Sequence, residues 1–363
     1  MLPAQDAAFA VRLLVWWREH GRHNLPWQEP VDDVEARVWR VWVSEVMLQQ
    51  TQVVTVIPFF QRFMLRFPNA ESFAQAGEDE VLAYWSGLGY YRRARLLHAA
   101  AKQVVEQFNG VFPRDFTQVL ALPGLGRSTA GAVLAQAFDL SYPILDGNVK
   151  RVLARYFAIE GWPGEASVER ELWRRAEALM PAVRAADYTQ AIMDLGATLC
   201  TARQPACDVC PHGAHCAARR AGRVSEFPSP RPRKTLPVRQ TVMWLVEGEQ
   251  GVLLQRRPQL GVWPGLYSLL ESALDETPSW AAPGERLPVM RHTFSHYRLE
   301  IHPRRARCKK TSALLMDDAS LLWYKPGHAP SVGLPAPVSR LIELYWRDNY
   351  EPYGELQPFE EGS

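Results

Sequence analysis

The sequence predicts an α-helical domain followed by a smaller domain of mixed α and β structure. Apolar residues recur at three- and four-residue spacing from the start of the chain to about residue 222, as in amphipathic helices. The segment 227–238, FPSPRPRKTLPV, contains four prolines and three basic residues, which is typical of a semi-rigid extended linker. Beyond it the pattern changes to short runs that favour β-strands.

These observations divide the chain into four predicted parts. They are a helical domain over 1–225, a linker over 226–237, a mixed α/β domain over 238–350 and a tail over 351–363. The total of 363 residues, 47% of them hydrophobic, is sufficient for two separate cores.

Composition excludes several classes of protein. The net charge is only +2, so a site for a polyanion requires local clustering of basic residues. The run LLVWW is flanked by Arg12 and Arg18 and is too short for a signal peptide or a membrane span. We therefore expect a cytoplasmic monomer, without membrane association.

Turn sequences separate the predicted elements. In the first domain RFPN, GLGYY, LPGLG and GWPG divide on the order of ten helices. In the second, TVMWLV and GVLLQRR are predicted strands joined by EGEQ, RLEIHPR and LLWY are further strands, and PAPVSRLIELYW is a closing helix.

Four of the five cysteines lie close together in the sequence. Cys200, Cys207, Cys210 and Cys216 are separated by six, two and five residues, and Cys308 is a distant free thiol. Four thiolates can surround a tetrahedral zinc ion or a 4Fe-4S cluster. The single C-x-x-C pair and the uneven gaps favour the cluster, and zinc remains the alternative.

The segment LPGLGRSTAGAV, residues 122–133, is typical of a helix, a tight turn and a second helix. Gly124 and Gly126 permit positive φ angles and a close approach of the backbone, and Arg127 is predicted to open the second helix. Amide groups at that helix N-terminus can bind an anion. An ordinary helical hairpin has the same pattern, so this segment alone leaves phosphate binding open.

Two carboxylates are candidates for acid–base chemistry. Glu45 lies with Gln49 and Gln52 on one predicted helical face, amid apolar residues whose burial can raise its pKa. Asp146 precedes Gly147 and Asn148, where a new helix begins. The alternatives are a solvated helix face for Glu45, and a turn residue beside an N-cap at Asn148 for Asp146.

Together, SEVMLQQTQV, GLGYY, LPGLG, LDGNVKRV and the cysteine spacing closely resemble the helix-hairpin-helix DNA glycosylases that carry an iron–sulfur cluster. Within them the chain is most similar to the MutY-type adenine glycosylases, from LPW at residue 25 to PSVGLPAPV at residue 330. The resemblance implies a two-lobed helical domain with a 4Fe-4S cluster and a C-terminal Nudix-like domain. It also implies that double-stranded DNA is the partner and that adenine opposite 8-oxoguanine or guanine is removed.

The resemblance assigns roles to individual residues. Glu45 matches the acid that protonates the leaving adenine, Asp146 matches the residue that stabilises the sugar cation, and Asn148 supports them. It further implies a set of DNA contacts, which comprises Gln49, Gln50, Thr51, Leu88, Tyr90, Gly124, Gly126, Ser128 and Lys150. It places Trp27, Gln28 and Gln190 in the adenine pocket.

The C-terminal domain resembles a Nudix fold without its usual magnesium motif. GLYSLLESALDE has scattered acidic residues that lack the RE-x-x-EE spacing, which argues against pyrophosphate hydrolysis. In RHTFSHYRLEI, the resemblance implies that Phe294, Ser295 and His296 recognise 8-oxoguanine. A hairpin turn with a structural histidine is the alternative.

Two other functions fit parts of the sequence. A pyrimidine glycosylase with lyase activity, like endonuclease III, requires a lysine just after the hairpin, and the matching residue here is Ser128. In a non-catalytic protein that binds damaged DNA, Glu45 and Asp146 would be structural.

Overall fold

The computed structural model describes most of the chain, in the ranges 4–232, 235–248, 250–308, 318, 320–325 and 332–346. The chain forms two compact units. The helical unit extends over 1–76 and 92–234, and the C-terminal unit extends over 77–91 and 235–363. The predicted tail over 351–363 and the side chain of Cys308 lie outside the described part.

Helices make up the first unit, as the spacing of apolar residues predicts. They are α1 (Ala4–His20), α2 (Val34–Leu48), α3 (Val53–Arg66), α4 (Ala70–Ala74), α6 (Arg92–Phe108), α7 (Phe116–Ala121), α8 (Arg127–Phe138), α9 (Gly147–Tyr156), α10 (Ala166–Leu179), α11 (Ala185–Asp194) and α12 (Ala217–Arg220). A π-helical turn, Leu195–Leu199, continues α11.

Two groups of buried side chains hold these helices. Leu13, Leu153 and Leu172 pack together from α1, α9 and α10. In the other group, the ring of Trp39 on α2 lies 5.5 Å from that of Phe73 on α4, and its indole N–H donates to the Phe67 carbonyl over 2.9 Å. The two groups fix α2 and α9, the helices that carry the predicted carboxylates.

The predicted helical face through Glu45, Gln49 and Gln52 is interrupted. Helix α2 ends at Leu48 and α3 begins at Val53, because Gln50 takes a left-handed conformation with φ of 58°. The buried guanidinium of Arg93 donates hydrogen bonds to carbonyl oxygens at the end of α2, those of Val46, Met47 and Gln49. Arg93 thereby satisfies acceptors that a helix end leaves unpaired.

The predicted helical hairpin forms between α7 and α8. Asp115 caps α7 by accepting from the Gln118 amide over 3.0 Å, and Arg127 begins α8, as predicted. Gly124 has φ of +81°, and a Cβ there would lie 2.8 Å from the Leu96 Cβ. Glycine is therefore required at this turn by both backbone conformation and space.

The described part of the C-terminal unit is built on a mixed eight-stranded sheet, which contains the four predicted strands and four strands that were not predicted from the sequence. Its elements are α5 (Glu78–Trp85), β1 (Val238–Gly248), β2 (Gly251–Arg256), β3 (Tyr267–Ser268), β4 (Leu270–Ser272), β5 (Ala281–Arg286), β6 (Met290–Thr293), β7 (Arg298–Cys308), β8 (Leu321–Tyr324) and α13 (Ala336–Tyr345). Strand β1 runs parallel to β7 and antiparallel to β2 and β4.

Both faces of the central strand β1 are buried. Met243 and Leu245 pack in the cluster that contains Leu341 of α13, whereas Val242 and Trp244 pack in a cluster on the other side. A strand covered on both faces has an unbroken apolar sequence, which explains the run TVMWLV.

Residues 77–91 group with the C-terminal unit although they precede most of the helical unit in sequence. The Tyr91 hydroxyl donates to the Leu334 carbonyl, and Arg256 pairs with Asp79 over 2.8 Å. Gly333 lies against Leu82 so closely that a Cβ would stand 2.8 Å from the Leu82 Cβ. These contacts fix α5 and the GLGYY segment within the C-terminal unit.

In the described ranges, none of the helices has the length and apolar character that crossing a membrane requires.

A buried carboxylate connects α1 to the end of α11. Asp194 is fully buried and accepts hydrogen bonds from the Trp17 indole over 3.0 Å, from the Arg22 amide over 2.8 Å and from Gln190 over 2.8 Å. It also forms an ion pair with the Arg22 guanidinium at 2.6 Å. Four donors thus converge on one side chain.

We predict that Asp194→Asn lowers the free energy of unfolding by about 3 kcal/mol, since it leaves buried donors and a cation without their acceptor. Because 26% of the Arg22 side chain is exposed, we expect a loss of unfolding free energy at the lower end of the range for breaking a buried ion pair. Asp187→Asn on the same helix is the control, because its ion pair with Arg184 is exposed and contributes less than about 1 kcal/mol. Denaturant unfolding followed by circular dichroism measures both variants, and equal losses would contradict the prediction.

Candidate functional site

A cavity of about 680 Å³ in the helical unit brings the two predicted carboxylates together. Glu45 reaches it from α2, and Asp146 reaches it from the start of α9. Other predicted site residues also line it, namely Trp27, Gln49, Gln50, Thr51, Ser128, Asn148 and Gln190.

Glu45 is held in a form suited to proton transfer. The pKa of Glu45 is raised to about 7, chiefly by burial and also by the nearby charge of Asp146, whereas a hydrogen bond from Gln136 opposes the shift. In that bond, Gln136 Nε2 donates to Glu45 Oε1 over 2.7 Å. A carboxyl group with a pKa near 7 can carry a proton at neutral pH and release it to a reactant.

Asp146 is the N-cap of α9. The alternative from the sequence pattern alone, in which Asn148 is the cap and Asp146 a turn residue beside it, is therefore wrong. Its Oδ1 accepts from the Val149 amide over 2.8 Å, and its Oδ2 accepts from Asn148 Nδ2 over 3.3 Å. The pKa of Asp146 is raised above its usual value, because burial outweighs the opposing effects of these hydrogen bonds and of the charge of Arg151. The cap fixes the direction of the carboxylate at the cavity wall.

Arg151, one turn into α9, connects Asn148 to the cysteine-containing segment. Its guanidinium donates to Asn148 Oδ1 over 2.9 Å, to the Gly196 carbonyl over 2.6 Å and to the Cys200 carbonyl over 2.6 Å. At Gly196, a Cβ would lie 2.6 Å from the Asn148 Cβ. The close approach of the π-helical turn to α9 therefore requires glycine.

Ser128 lies in the first turn of α8 and holds the chain just before Asp146. Its hydroxyl oxygen accepts from the Leu145 amide over 2.9 Å. Lys150 lies on α9 and forms an ion pair with Glu169 on α10 over 2.7 Å.

The first turn of α8 is open to an anion. The N-cap residue Gly126 provides no side-chain acceptor, so the first amides of α8 lack a capping partner from it. Arg127 points elsewhere, since it pairs with Glu177 and its guanidinium lies 3.9 Å from the centre of the Trp173 ring.

Two of the predicted DNA contacts combine exposure with a strained backbone. Gln50 in the helical unit is exposed with φ of 58°. Tyr90 in the C-terminal unit is 58% exposed with φ of 49°. Non-glycine residues in this conformation carry strain, which is concentrated at functional sites. Leu88, by contrast, is only 5% exposed, so its side chain is not presented at the surface.

The polar residues beside Gln50 are held by neighbouring side chains. Gln49 Nε2 donates to the Thr129 hydroxyl over 3.2 Å, and Arg93 donates to the Thr51 hydroxyl over 3.1 Å.

Of the three predicted pocket residues, Trp27 and Gln190 line the cavity and Gln28 does not. Trp27 is 4% exposed and packs edge-to-face on Phe60, with ring centres 5.4 Å apart. Gln190 is also buried, where it donates to Asp194. Gln28 is not part of the cavity wall, because its side-chain oxygen accepts from the Leu25 amide in the preceding turn. Its predicted role in the pocket thus lacks support from its position.

The four clustered cysteines line one cavity of the helical unit. Burial and the charges of the other three cysteines raise the pKa of Cys210 to about 11, so a bound cation is needed to hold four thiolates together. Among the described residues, no three His, Cys, Asp or Glu side chains are grouped for a single metal ion. Four thiols around a shared cavity are a donor set that suits a metal centre with cysteine ligands.

The predicted 8-oxoguanine residues form the turn between β6 and β7. The Phe294 amide donates to the Tyr297 carbonyl over 2.9 Å, and the Phe294 ring packs 5.3 Å from that of Trp263. Ser295 and His296 are exposed at the tip, where their side chains are 3.4 Å apart.

The segment with scattered acidic residues does not form the metal-binding helix of a Nudix hydrolase. Residues 267–272 form β3 and β4, and Glu271 pairs with Arg257. This is consistent with the expectation that the unit does not hydrolyse pyrophosphates.

Sequence reasoning missed two residues of this site. Gln136 is a polar residue in the otherwise small and apolar run AGAVLAQAF, and that contrast was a usable signal. Arg151 stands beside Lys150 in a basic pair, so the sequence shows no difference between the arginine that supports Asn148 and an ordinary surface charge.

Comparison with known proteins agrees with both units. A model described as "HhH-GPD superfamily base excision DNA repair protein" matches residues 43–178, and a NUDIX domain model matches residues 241–344. A solved thermostable thymine-DNA glycosylase is 26% identical with a TM-score of 0.52, and the match covers 60% of this chain and 97% of that one. An endonuclease III–DNA complex, 20% identical over 61% of this chain and 99% of that chain with a TM-score of 0.50, supports the same fold.

Curated relatives match along most of the chain. The adenine DNA glycosylase of Buchnera aphidicola subsp. Acyrthosiphon pisum is 34% identical, and the match covers 93% of this chain and 97% of that protein. The adenine DNA glycosylase of Rattus norvegicus is 36% identical, and the match covers 82% of this chain and 70% of that protein. With two carboxylates in one cavity beside a helical hairpin, the chain therefore belongs to the adenine DNA glycosylase family of base excision repair enzymes.

Proposed function

We propose that this protein removes adenine from double-stranded DNA in which the adenine is opposite 8-oxoguanine or guanine. The observation that carries the proposal is the cavity shared by Glu45 and Asp146, in which the pKa of Glu45 is raised to about 7. The names of the relatives support adenine as the base that is released.

The two carboxylates divide the chemistry of N-glycosidic bond cleavage. Protonated Glu45 donates its proton to a ring nitrogen of adenine, which makes the base a better leaving group. The sugar is left with oxocarbenium character, and the Asp146 carboxylate stabilises that positive charge. Deprotonated Glu45 then helps to activate the water that completes hydrolysis. Asn148 and Arg151 keep Asp146 and the start of α9 in place.

Adenine must leave the base stack to reach this cavity. The turn at Gly124 and Gly126 and the uncapped first amides of α8 are suited to hold a backbone phosphate near the extruded nucleotide. Gln50, exposed on a strained backbone, is suited to enter the duplex beside it. We assign the extruded base to the part of the cavity lined by Trp27 and Gln190.

The absence of a lysine at position 128 supports a glycosylase that leaves the DNA backbone intact. A lyase reaction needs an amine that forms a Schiff base with the sugar. Ser128 accepts a backbone hydrogen bond from Leu145, and the nearby Lys150 is engaged by Glu169.

We further propose that Cys200, Cys207, Cys210 and Cys216 hold a 4Fe-4S cluster. The cluster would supply iron–thiolate bonds that cross-link the loop over 200–216. Arg155 supports this loop from α9, since its guanidinium donates to the Thr201 carbonyl over 2.7 Å and to the Cys200 thiol sulfur over 3.4 Å.

We assign recognition of 8-oxoguanine to the turn at Phe294, Ser295 and His296. Phe294 packs against Trp263 and Tyr297 and thereby anchors the turn. Ser295 and His296 are exposed at the tip of this turn. A hydroxyl and an imidazole can together match the donor and acceptor pattern of an altered purine edge.

We predict that Glu45→Gln lowers the single-turnover rate of adenine release at least 10³-fold, because the amide cannot donate the required proton. Duplex binding should be retained, since the variant keeps the shape of the side chain. Glu106→Gln, on the exposed face of α6, is the control and should keep full activity. Substantial adenine release by Glu45→Gln would exclude Glu45 as the acid.

The pH dependence of release should follow the protonation of Glu45. We expect the rate to fall as pH rises through about 7, because the proton-carrying form is lost above the pKa of Glu45. Gln136→Met removes a hydrogen bond that stabilises the carboxylate, so the inflection should move to higher pH. Gln103→Met removes an exposed glutamine pair on α6 and should leave the profile unchanged. A shift to lower pH in Gln136→Met would contradict this assignment.

The double variant Ser295→Ala/His296→Ala tests recognition of the opposite base. We expect the preference for adenine opposite 8-oxoguanine over adenine opposite guanine to fall about tenfold, the effect of losing about 1.4 kcal/mol of base-edge contacts. Release rates are measured on both duplexes and on one that carries an oxidised pyrimidine, with Arg340→Ala as a surface control. Equal losses on the two adenine duplexes would argue against this role, and release of the oxidised pyrimidine by the wild type would overturn the proposed function.

A further inference from the structure

His212 lies inside the cysteine loop, between Cys210 and Cys216, and is almost completely buried. It is 2% exposed, and its ring stacks on that of Phe9 with ring centres 3.8 Å apart and planes 3° apart. Tyr156 packs against it edge-to-face at 5.6 Å. These two aromatic contacts fix the plane of the imidazole.

Both ring nitrogens of His212 are buried, and neither has a hydrogen-bond partner among the described residues. An imidazole carries at least one N–H in either protonation state. Leaving a buried donor unpaired costs about 1–3 kcal/mol, so nearly all such groups have a partner in folded proteins.

The position of His212 indicates where that partner lies. His212 lines the same cavity as the four cysteines. Phe9 covers one face of the ring, so the available acceptor must lie near the edge of the ring, where the nitrogens are. Sulfur atoms with high negative charge, such as sulfide or iron-bound thiolate, accept hydrogen bonds from N–H groups in iron–sulfur proteins.

We propose that His212 donates a ring N–H hydrogen bond to a sulfur of the 4Fe-4S cluster and thereby raises the cluster's reduction potential. The bond stabilises negative charge on the sulfurs, and the reduced cluster has more of that charge than the oxidised one. His212 is a positioning residue for the cluster, distinct from the four ligands and from the carboxylates that act on DNA. The inference rests on the proposed cluster.

The experiment uses the full-length protein with its cluster and compares His212→Leu with His212→Gln. Leucine removes the donor, whereas glutamine retains an N–H on a side chain of similar length. Voltammetry should show a lower reduction potential for His212→Leu and a potential closer to that of the wild type for His212→Gln. His215→Leu, which changes the exposed histidine of the same loop, should leave the potential unchanged.

A second measurement does not depend on any variant. In protein labelled with ¹⁵N-histidine, pulsed electron paramagnetic resonance of the cluster, brought to a paramagnetic state by one-electron oxidation or reduction, should detect one weakly coupled imidazole nitrogen. Absence of that coupling in the wild type, or equal potentials in wild type and His212→Leu, would overturn the inference while leaving the cluster in place. Purified protein without iron and sulfide would instead refute the proposed cluster itself.

Discussion

The start of α9 is the constraint on which the chemistry of the helical unit depends. Asp146 accepts the Val149 amide as the cap of this helix, so the carboxylate that faces the cavity also determines where the helix begins. Five residues later, Arg151 fixes Asn148 and reaches the carbonyls of Gly196 and Cys200. One short helix therefore connects the reactive cavity, the end of α11 and the cysteine loop.

Different surroundings separate the roles of the two carboxylates. Glu45 accepts a hydrogen bond from Gln136, and burial raises its pKa to about 7, so its protonated form is well populated at neutral pH. Asp146 is buried as well, but backbone amides, Asn148 and the charge of Arg151 all favour its ionised form. Glu45 is thereby suited to give a proton, whereas Asp146 has several contacts that stabilise its carboxylate form, an arrangement that suits an acid and a cation stabiliser acting together.

The sequence predicted features that depend on local patterns. Spacing and turn residues indicated the α7–α8 hairpin, four of the eight described strands of the second unit (β1, β2, β7 and β8) and its closing helix, because these are set by neighbours along the chain. Interactions over long separations were not predictable. Arg93 donates a hydrogen bond to the Gln49 carbonyl at the end of α2, although the two residues are 44 positions apart in sequence. Gln136 donates to Glu45, from which it is separated by 91 positions. The roles of the DNA-facing residues came from the family resemblance and remain predictions.

The grouping of residues 77–91 with the C-terminal unit has a consequence for how the protein is made. Tyr91 is synthesised 243 residues before its hydrogen-bond partner Leu334. At a typical translation rate of about 5–20 residues per second, roughly 10 to 50 seconds separate the synthesis of Tyr91 from that of Leu334. During that interval Leu82 and Tyr91 lack the partners that Gly333 and Leu334 later provide. These contacts can therefore form only after residue 334 has been translated.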